Sequence, residues 1–219
     1  AREGASLALV MIGGVNYLTG QRMDMAAITQ AGHAAGAVVG WDLAHAAGNV
    51  PLSLHEWNVD FAAWCSYKYL NAGPGAIAGA YVHERHVGDR SLPQFAGWWG
   101  NDPATRFKMG PEHTPIASAD RWQLSNPPIL SMTPVVESLA IFDRVGMAAL
   151  RTKAERLTGY MEWLIDRVNE RSGGAGPGIE IITPRDPAQR GCALSLVMHR
   201  GPREAFAALK RHGDRKSVV

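Results

Sequence analysis

The chain has 219 residues, of which 22 are Lys or Arg and 20 are Asp or Glu, so its formal net charge is +2. Its 46% hydrophobic and 19% charged residues exclude a disordered chain. The near-neutral charge argues against a dedicated nucleic-acid binder, which usually carries a clustered basic face. Two cysteines are too few for a disulfide framework or a four-cysteine zinc site, and they fit a cytoplasmic protein.

Both a membrane span and a signal peptide are absent from the sequence pattern. No stretch approaches the ~18 to 20 consecutive apolar residues that a spanning helix needs, and no charged-then-apolar signal peptide opens the chain. We therefore expect neither a membrane nor a nucleic acid as partner. The chain opens at Ala1 without an initiator Met and soon enters an apolar run, which predicts the interior of a longer protein.

Short apolar runs alternate with one helical stretch in the first part of the chain. Residues 7–12 form a continuous apolar run that ends at Gly13, which predicts a strand buried on both faces. Asp24 is placed to cap a helix that extends to about Ala35, and a second apolar run covers residues 37–41. A strand, a helix and a strand in this order predict a right-handed βαβ unit.

Two further strands are predicted over residues 61–65 and 76–82, and the glycine-rich turn between them allows an antiparallel return. The predicted fold class is therefore α/β with a mainly parallel sheet flanked by helices. Periodicity is lost from residue 93 to residue 128, where Pro, Gly, Trp, Asn and Thr dominate. Such a long aperiodic segment is uncommon inside a compact domain and is often functional.

The remainder of the chain is helical and then mixed. One amphipathic stripe begins at Pro134 and a second follows Gly146, which predicts two packed helices. A glycine-rich loop, two short strands and a helix follow, over residues 172–178, 179–183, 193–198 and 202–211. We predict the C-terminal portion of a large ligand-binding domain over residues 1–133, and linking helices with part of a smaller α+β domain over residues 134–219.

Polar side chains follow two neighbouring predicted strands. Asp42 and His45 come after the second strand, and Tyr67 and Lys68 come after the third. Ligands collect outside the carboxyl ends of strands in open parallel sheets. An acid and a lysine placed there are the protein groups that pyridoxal phosphate needs, because the lysine forms the Schiff base and the acid keeps the pyridinium nitrogen protonated. An Asp42–Lys68 ion pair in the core, or two solvated side chains, explains the same spacing.

His83 and His86 have the spacing of two metal ligands on one turn. A zinc site needs three or four ligands, and the sequence identifies no further ones. We therefore predict a solvated turn at these residues and no metal site.

The segments around the candidate residues extend into longer motifs. They are residues 41–50, beginning Trp41-Asp42-Leu43-Ala44-His45, and residues 64–73, beginning Trp64-Cys65-Ser66-Tyr67-Lys68. Both resemble the kynureninase family, which belongs to the fold-type-I pyridoxal phosphate enzymes. Further segments of the chain recur in that family, in order within residues 7–213: residues 15–21, 97–100, 105–109, 125–130, 157–160 and 190–192.

The resemblance implies a role for each candidate residue. Lys68 would form the Schiff base with pyridoxal 5'-phosphate, Asp42 would pair with the pyridinium nitrogen, and His45 would lie beside the ring. Tyr67 would reach the cofactor phosphate and serve as a proton donor. The residues that would contact cofactor phosphate or substrate from the partner subunit of a homodimer are Trp98 and Asn126.

The reaction that the resemblance implies is hydrolysis of the side-chain Cβ–Cγ bond of L-kynurenine to anthranilate and L-alanine, with the 3-hydroxy compound as the other substrate, in tryptophan catabolism and NAD biosynthesis. The chain departs from the family pattern at four places. It lacks the N-terminal part that binds the phosphate and the C-terminal part that binds the substrate carboxylate, its residues 213–219 diverge, and Gly13 stands where other members can carry a Ser. A cysteine desulfurase or aminotransferase-like enzyme and an inactive remnant are the alternatives.

Overall fold

The computed structural model describes residues 3–173 and 178–213. Its strands are β1 (Leu9–Gly13), β2 (Val38–Asp42), β3 (Phe61–Trp64), β4 (Gly79–Val82), β5 (Ile179–Ile181) and β6 (Leu196–Met198). Its helices are α1 (Met25–Ala34), α2 (Ile129–Val145), α3 (Met147–Arg171) and α4 (Pro202–Arg211). The middle of the predicted glycine-rich loop and the divergent end at 214–219 lie outside the described residues.

Strands β1 to β4 form one sheet in chain order. The pairs β1–β2 and β2–β3 are parallel, and β4 returns antiparallel to β3. The predicted parallel sheet with one antiparallel return is therefore confirmed. Gly13 is in register with Asp42, and Asp42 is in register with Ala63, so the carboxyl ends of three strands are level at one edge. Strands β5 and β6 form a separate antiparallel pair.

The core lies between α1 and the parallel strands. Asp24 begins the helix, as predicted, because its Oδ1 accepts a hydrogen bond of 3.0 Å from the backbone N–H of Ala27. The indole of Trp41 on β2 is fully buried and donates to Thr29 Oγ1 on α1 at 3.0 Å. Val39, on the same face of β2, is also fully buried. Each of these apolar side chains contributes about 1.5–3 kcal/mol through burial.

The prediction that β1 is buried on both faces is wrong. Leu9 is 49% exposed and Met11 is 51% exposed, whereas Val10 packs against the core. A strand buries both faces only where a layer covers each side of the sheet. In the described part of the chain α1 covers one face of β1 and β2, and β1 has no strand beyond it. The other face of β1 is therefore open.

The two long helices follow the prediction except at their start. Helix α2 begins at Ile129 rather than at Pro134, because the carbonyl of Pro128 accepts hydrogen bonds from two backbone N–H groups of the first turn. Pro134 lies in the second turn of α2, where its missing N–H removes one helical hydrogen bond. Gly146, at φ +78°, separates α2 from α3 as predicted. The domain division after residue 133 falls within α2 and stays a prediction.

The segment from residue 93 to residue 128 has little regular structure, as predicted. It contains one short 3-10 helix over Ala119–Trp122. Buried Arg121 anchors this helix, because its Nε donates to Gln94 Oε1 at 2.6 Å and its Nη1 donates to the carbonyl of Val87. None of the helices in the described residues is long and apolar enough to cross a membrane.

Candidate functional site at the carboxyl ends of the strands

The structure brings Lys68 and His45 together at the carboxyl ends of β2 and β3. Beyond β2 the chain forms a tight turn, in which Asp42 Oδ1 accepts from the backbone N–H of Ala44 at 2.8 Å. His45 is carried by this turn. Lys68 follows β3, and its Nζ lies 3.0 Å from His45 Nε2. The contact joins side chains that are 23 residues apart in the sequence, at the edge of the sheet where the strand ends are level.

The partner of Lys68 is an imidazole rather than a carboxylate. Among the described residues no carboxylate lies within 4.0 Å of Lys68 Nζ, so the alternative of an Asp42–Lys68 ion pair is not observed. Asp42 itself is exposed. Burial lowers the pKa of His45, nearby Lys68 lowers it further, and Asp42 partly opposes both effects. The lowered pKa favours the neutral imidazole, whose ring nitrogen is able to accept a hydrogen bond from Lys68 Nζ.

Three tyrosines surround this pair. The ring centroid of Tyr17 is 6.4 Å from that of His45, and Tyr69 packs edge-on against His45 at 5.9 Å. Lys68 Nζ lies 5.9 Å from the centre of the exposed Tyr67 ring. Burial raises the pKa of the Tyr69 hydroxyl. Of these tyrosines only Tyr67 was predicted from the sequence. Tyr17 could also have been found, because it follows β1 at the edge of the sheet where ligands collect.

The loop that carries Lys68 is anchored on both sides. Ser66 Oγ donates to the carbonyl of Ile77 near the start of β4. The carbonyl of Leu70 accepts a hydrogen bond from buried Ser138 on α2. Because these anchors lie two residues before and two residues after Lys68, the backbone of the lysine is fixed from opposite sides.

Trp98 and Asn126 lie in the irregular segment, and their observed contacts are made within it. Trp98 packs edge-on against Trp99 with a centroid distance of 5.3 Å, and the guanidinium of Arg106 lies 5.3 Å and 4.7 Å from the two rings. Asn126 is exposed and accepts a hydrogen bond from its neighbour Ser125. Neither has a contact with Lys68 in the part of the chain that the structure describes. Their predicted roles across a subunit interface stay predictions.

Two glycines explain how the turn over residues 97–100, which contains Trp98, is held in place. A Cβ on Gly97 would lie 2.3 Å from the Cα of Leu124, and a Cβ on Gly100 would lie 2.6 Å from the carbonyl oxygen of Arg121. The backbone of each glycine therefore packs directly against the backbone of another segment, and any side chain larger than hydrogen would prevent this packing. The turn that carries Trp98 is thus fixed against the segment that leads to Asn126.

The prediction of a solvated turn at His83 and His86 is wrong for His83, which is buried, and the two histidines make different contacts. His86 Nε2 lies 2.6 Å from Asp60 Oδ1, and His33 Nε2 lies 2.8 Å from Asp60 Oδ2. His83 instead stacks on His55 with a centroid distance of 4.9 Å. The described residues contain no group of three or more His, Cys, Asp or Glu side chains arranged to hold a metal ion.

The family model of the class-V aminotransferases matches residues 4–175. The chain therefore belongs to this family, whose members are pyridoxal phosphate-dependent enzymes. It is 58% identical over 215 residues to the "Kynureninase" of Salinispora tropica and 56% identical over 212 residues to the "Kynureninase" of Koribacter versatilis. Each match covers 97% of this chain and 49% of the relative. The chain thus spans about half the length of the curated relatives it matches.

Solved structures confirm the fold class. The apo cysteine desulfurase of Thermococcus onnurineus NA1 matches with a TM-score of 0.70 at 16% identity, over 96% of this chain and 49% of that one. A C-DES lysine mutant with glycine covalently linked to its PLP cofactor matches with a TM-score of 0.67 at 21% identity, over 94% of this chain and 51% of that one. Identities this low show the fold alone, which is that of the fold-type-I enzymes. Both sequence relatives carry the name kynureninase, whereas the likeness to the desulfurase concerns the fold.

Proposed function

We propose that this chain supplies the lysine-bearing part of a kynureninase active site, which hydrolyses L-kynurenine and 3-hydroxy-L-kynurenine to anthranilate or 3-hydroxyanthranilate and L-alanine. One observation carries the proposal: the amine of Lys68 lies 3.0 Å from the imidazole of His45 at the carboxyl edge of the sheet, in a chain 58% identical to a kynureninase. This edge is where open parallel sheets bind ligands.

The chemistry of the side chains fits pyridoxal 5'-phosphate. Lys68 offers an amine without a carboxylate partner among the described residues, and Asp42 offers an exposed carboxylate at the end of β2. The turn that follows the lysine contains Gly73 and Gly75, and a Cβ on either would meet no atom within 4 Å. The space beside these two glycines is therefore not filled by other atoms of the described structure. When bound, the cofactor supplies an electron sink for the bond-breaking steps.

The residues of the chain divide the remaining work. Lys68 would hold the cofactor through its amine and would move the proton at the substrate α-carbon. Burial and the charge of Lys68 lower the pKa of His45, so its imidazole would accept a hydrogen bond from the lysine and orient it. Asp42 would keep the proton on the ring nitrogen. Tyr67 would donate a hydrogen bond to the phosphate and serve as a proton donor.

A homodimer belongs to the same proposal. The irregular segment exposes a set of large apolar side chains, with Phe95 83% exposed and Phe107 77% exposed beside Trp98. Such a patch is typical of a protein interface, and it supports Trp98 and Asn126 as residues that reach the site of a second subunit. A cytoplasmic location is also proposed, and it is supported by free thiols at both Cys65 and Cys192.

The decisive experiment mixes the chain with pyridoxal phosphate and follows the absorbance of lysine-bound cofactor. We expect a band that Lys68→Ala removes and that Lys153→Ala, which alters an exposed lysine on α3, leaves intact. Anthranilate release from kynurenine should fall by at least about 10³-fold in Lys68→Ala.

Each of the other outcomes contradicts a stated part of the proposal. A folded chain that forms no band would favour the inactive remnant. Release of sulfide from cysteine without release of anthranilate would favour the desulfurase. Turnover that survives Lys68→Ala would remove the assignment of the lysine.

A further inference from the structure

Asn49 is a buried side chain that links two distant parts of the chain. It is 4% exposed and lies at the end of the turn that carries His45. Its Nδ2 donates to the carbonyl of His45 at 2.9 Å, and its Oδ1 accepts from the backbone N–H of Cys192 at 2.8 Å. The second bond spans 143 positions of sequence. The Asn49 amide therefore donates one hydrogen bond and accepts another, and the two bonds reach different segments of the chain.

The segment on the far side of Asn49 is itself firmly held. Arg190 is 1% exposed, and its Nη2 donates to Glu162 Oε2 at 2.8 Å and to Thr158 Oγ1 at 3.2 Å, both on α3. A Cβ on Gly191 would lie 2.4 Å from Asn49 Nδ2, so a glycine is required for the backbone to pack on the amide. Asn49 thus connects the His45 turn to a point fixed on α3.

His45 is the member of the site that this link orients. Its ring faces Lys68 at 3.0 Å and packs against Tyr17 and Tyr69, and Asp42 is the remaining charged group that acts on it. We propose that Asn49 is a positioning residue, which fixes the His45 backbone so that the imidazole meets the lysine amine. The catalytic importance of this positioning rests on the proposed function, whereas the hydrogen bonds of Asn49 and the contact of His45 with Lys68 are observed in the structure.

The test follows the titration of His45 by NMR in the chain without cofactor, with the signal assigned by His45→Gln. Asn49→Ala should raise the pKa of His45 toward its ordinary value of about 6.5, because a released ring gains water and moves away from Lys68. In the same variant, the affinity for pyridoxal phosphate should fall roughly tenfold, because the variant loses the buried hydrogen bonds that hold the His45 turn.

A matched control is available in α3. Asn169 also makes two backbone hydrogen bonds with its amide, both to Ile179, at 2.7 Å and 2.9 Å. Asn169→Ala should lower stability by a similar amount and leave the titration of His45 unchanged. If Asn49→Ala does not fold, Asn49→Ser decides, because serine retains a donor for the carbonyl four residues back but is too short to reach Cys192.

The proposal is overturned if the folded Asn49 variants lose stability as the control does while His45 titrates as in the unchanged chain. The proposed function has a separate point of failure. A chain that binds no cofactor but shows the His45 shift would refute the proposed activity and retain the role of Asn49.

Discussion

Replacement of Asp60 by Asn removes the charge at the centre of the most connected polar cluster in the described structure. The side chain of Asp60 is 7% exposed. It accepts hydrogen bonds from the backbone N–H of Val39 at 2.7 Å, from His33 at 2.8 Å and from His86 at 2.6 Å, and it pairs with Arg85. These contacts join α1, β2 and the short 3-10 helix that follows β4 (Glu84–His86) around the residue that precedes β3.

The expected loss follows from this geometry. Removing one partner of a buried ion pair costs about 3–5 kcal/mol, and we expect the lower end because Arg85 and both histidines are partly exposed and regain water. Burial alone would raise the pKa of Asp60. The hydrogen bonds from Arg85, from the Val39 N–H and from the two histidines outweigh burial and hold that pKa well below its usual range.

This depressed pKa fixes the sign of the pH dependence. The charge of Asp60 stabilises the fold above the pKa of an unfolded aspartate, about 3.9, and the contribution is lost as the pH falls from there through the folded value. Asp60→Asn should therefore lower the free energy of unfolding by about 3 kcal/mol at pH 7. It should also flatten the decline in stability that acid causes in the unchanged chain.

Urea unfolding at pH 7 and at steps below pH 4 measures both quantities. Glu170→Gln is the control, because its pair with Arg167 at 2.6 Å is exposed on α3 and should contribute under about 1 kcal/mol. A stabilising role for the charge of Asp60 is refuted if Asp60→Asn costs no more than this control at pH 7, or if the stability of the variant declines in acid as steeply as that of the unchanged chain.

Two further substitutions test how the site loops are held. Gly97→Ala should lower the free energy of unfolding by about 1–3 kcal/mol in thermal unfolding, because its Cβ would overlap the backbone of Leu124. Gly88→Ala is the control, since its Cβ meets no atom within 4 Å. Equal melting temperatures of the two variants would count against backbone packing at residue 97. Ser138→Ala should cost about 1 kcal/mol in urea unfolding, because it removes the hydrogen bond to the Leu70 carbonyl, and an unchanged free energy of unfolding would show that α2 does not anchor the lysine loop.

Local pattern was sufficient for most of the fold. The apolar runs, the cap at Asp24 and the break at Gly146 depend on interactions within a few residues, and the structure has strands and helices at each of these places. The start of α2 was misplaced because Pro134 suggests a helix start by its residue type, whereas the actual start depends on hydrogen bonds to Pro128. The open face of β1 was also missed, because exposure depends on which layers cover a sheet and not on the strand alone.

Part of the candidate site could also be predicted from the sequence, and part of it could not. Asp42, His45 and Lys68 followed from the sequence, because parallel strands bring their carboxyl ends to one edge and the residues after them share that edge. The 3.0 Å contact of Lys68 with His45 rather than with Asp42 was decided by the path of the turn after β2.

The polar links around the site were decided only by the tertiary structure. Asn49 meets Cys192 across 143 residues, and Asp60 gathers partners from 21 to 27 residues away on several elements. No sequence period encodes such contacts, since a buried polar side chain takes whichever partners the packed elements bring within hydrogen-bond distance. The sequence by itself determined the order of the elements and which polar residues follow the strands, because both depend on local pattern, and the packing of distant segments determined which contacts hold those residues in place.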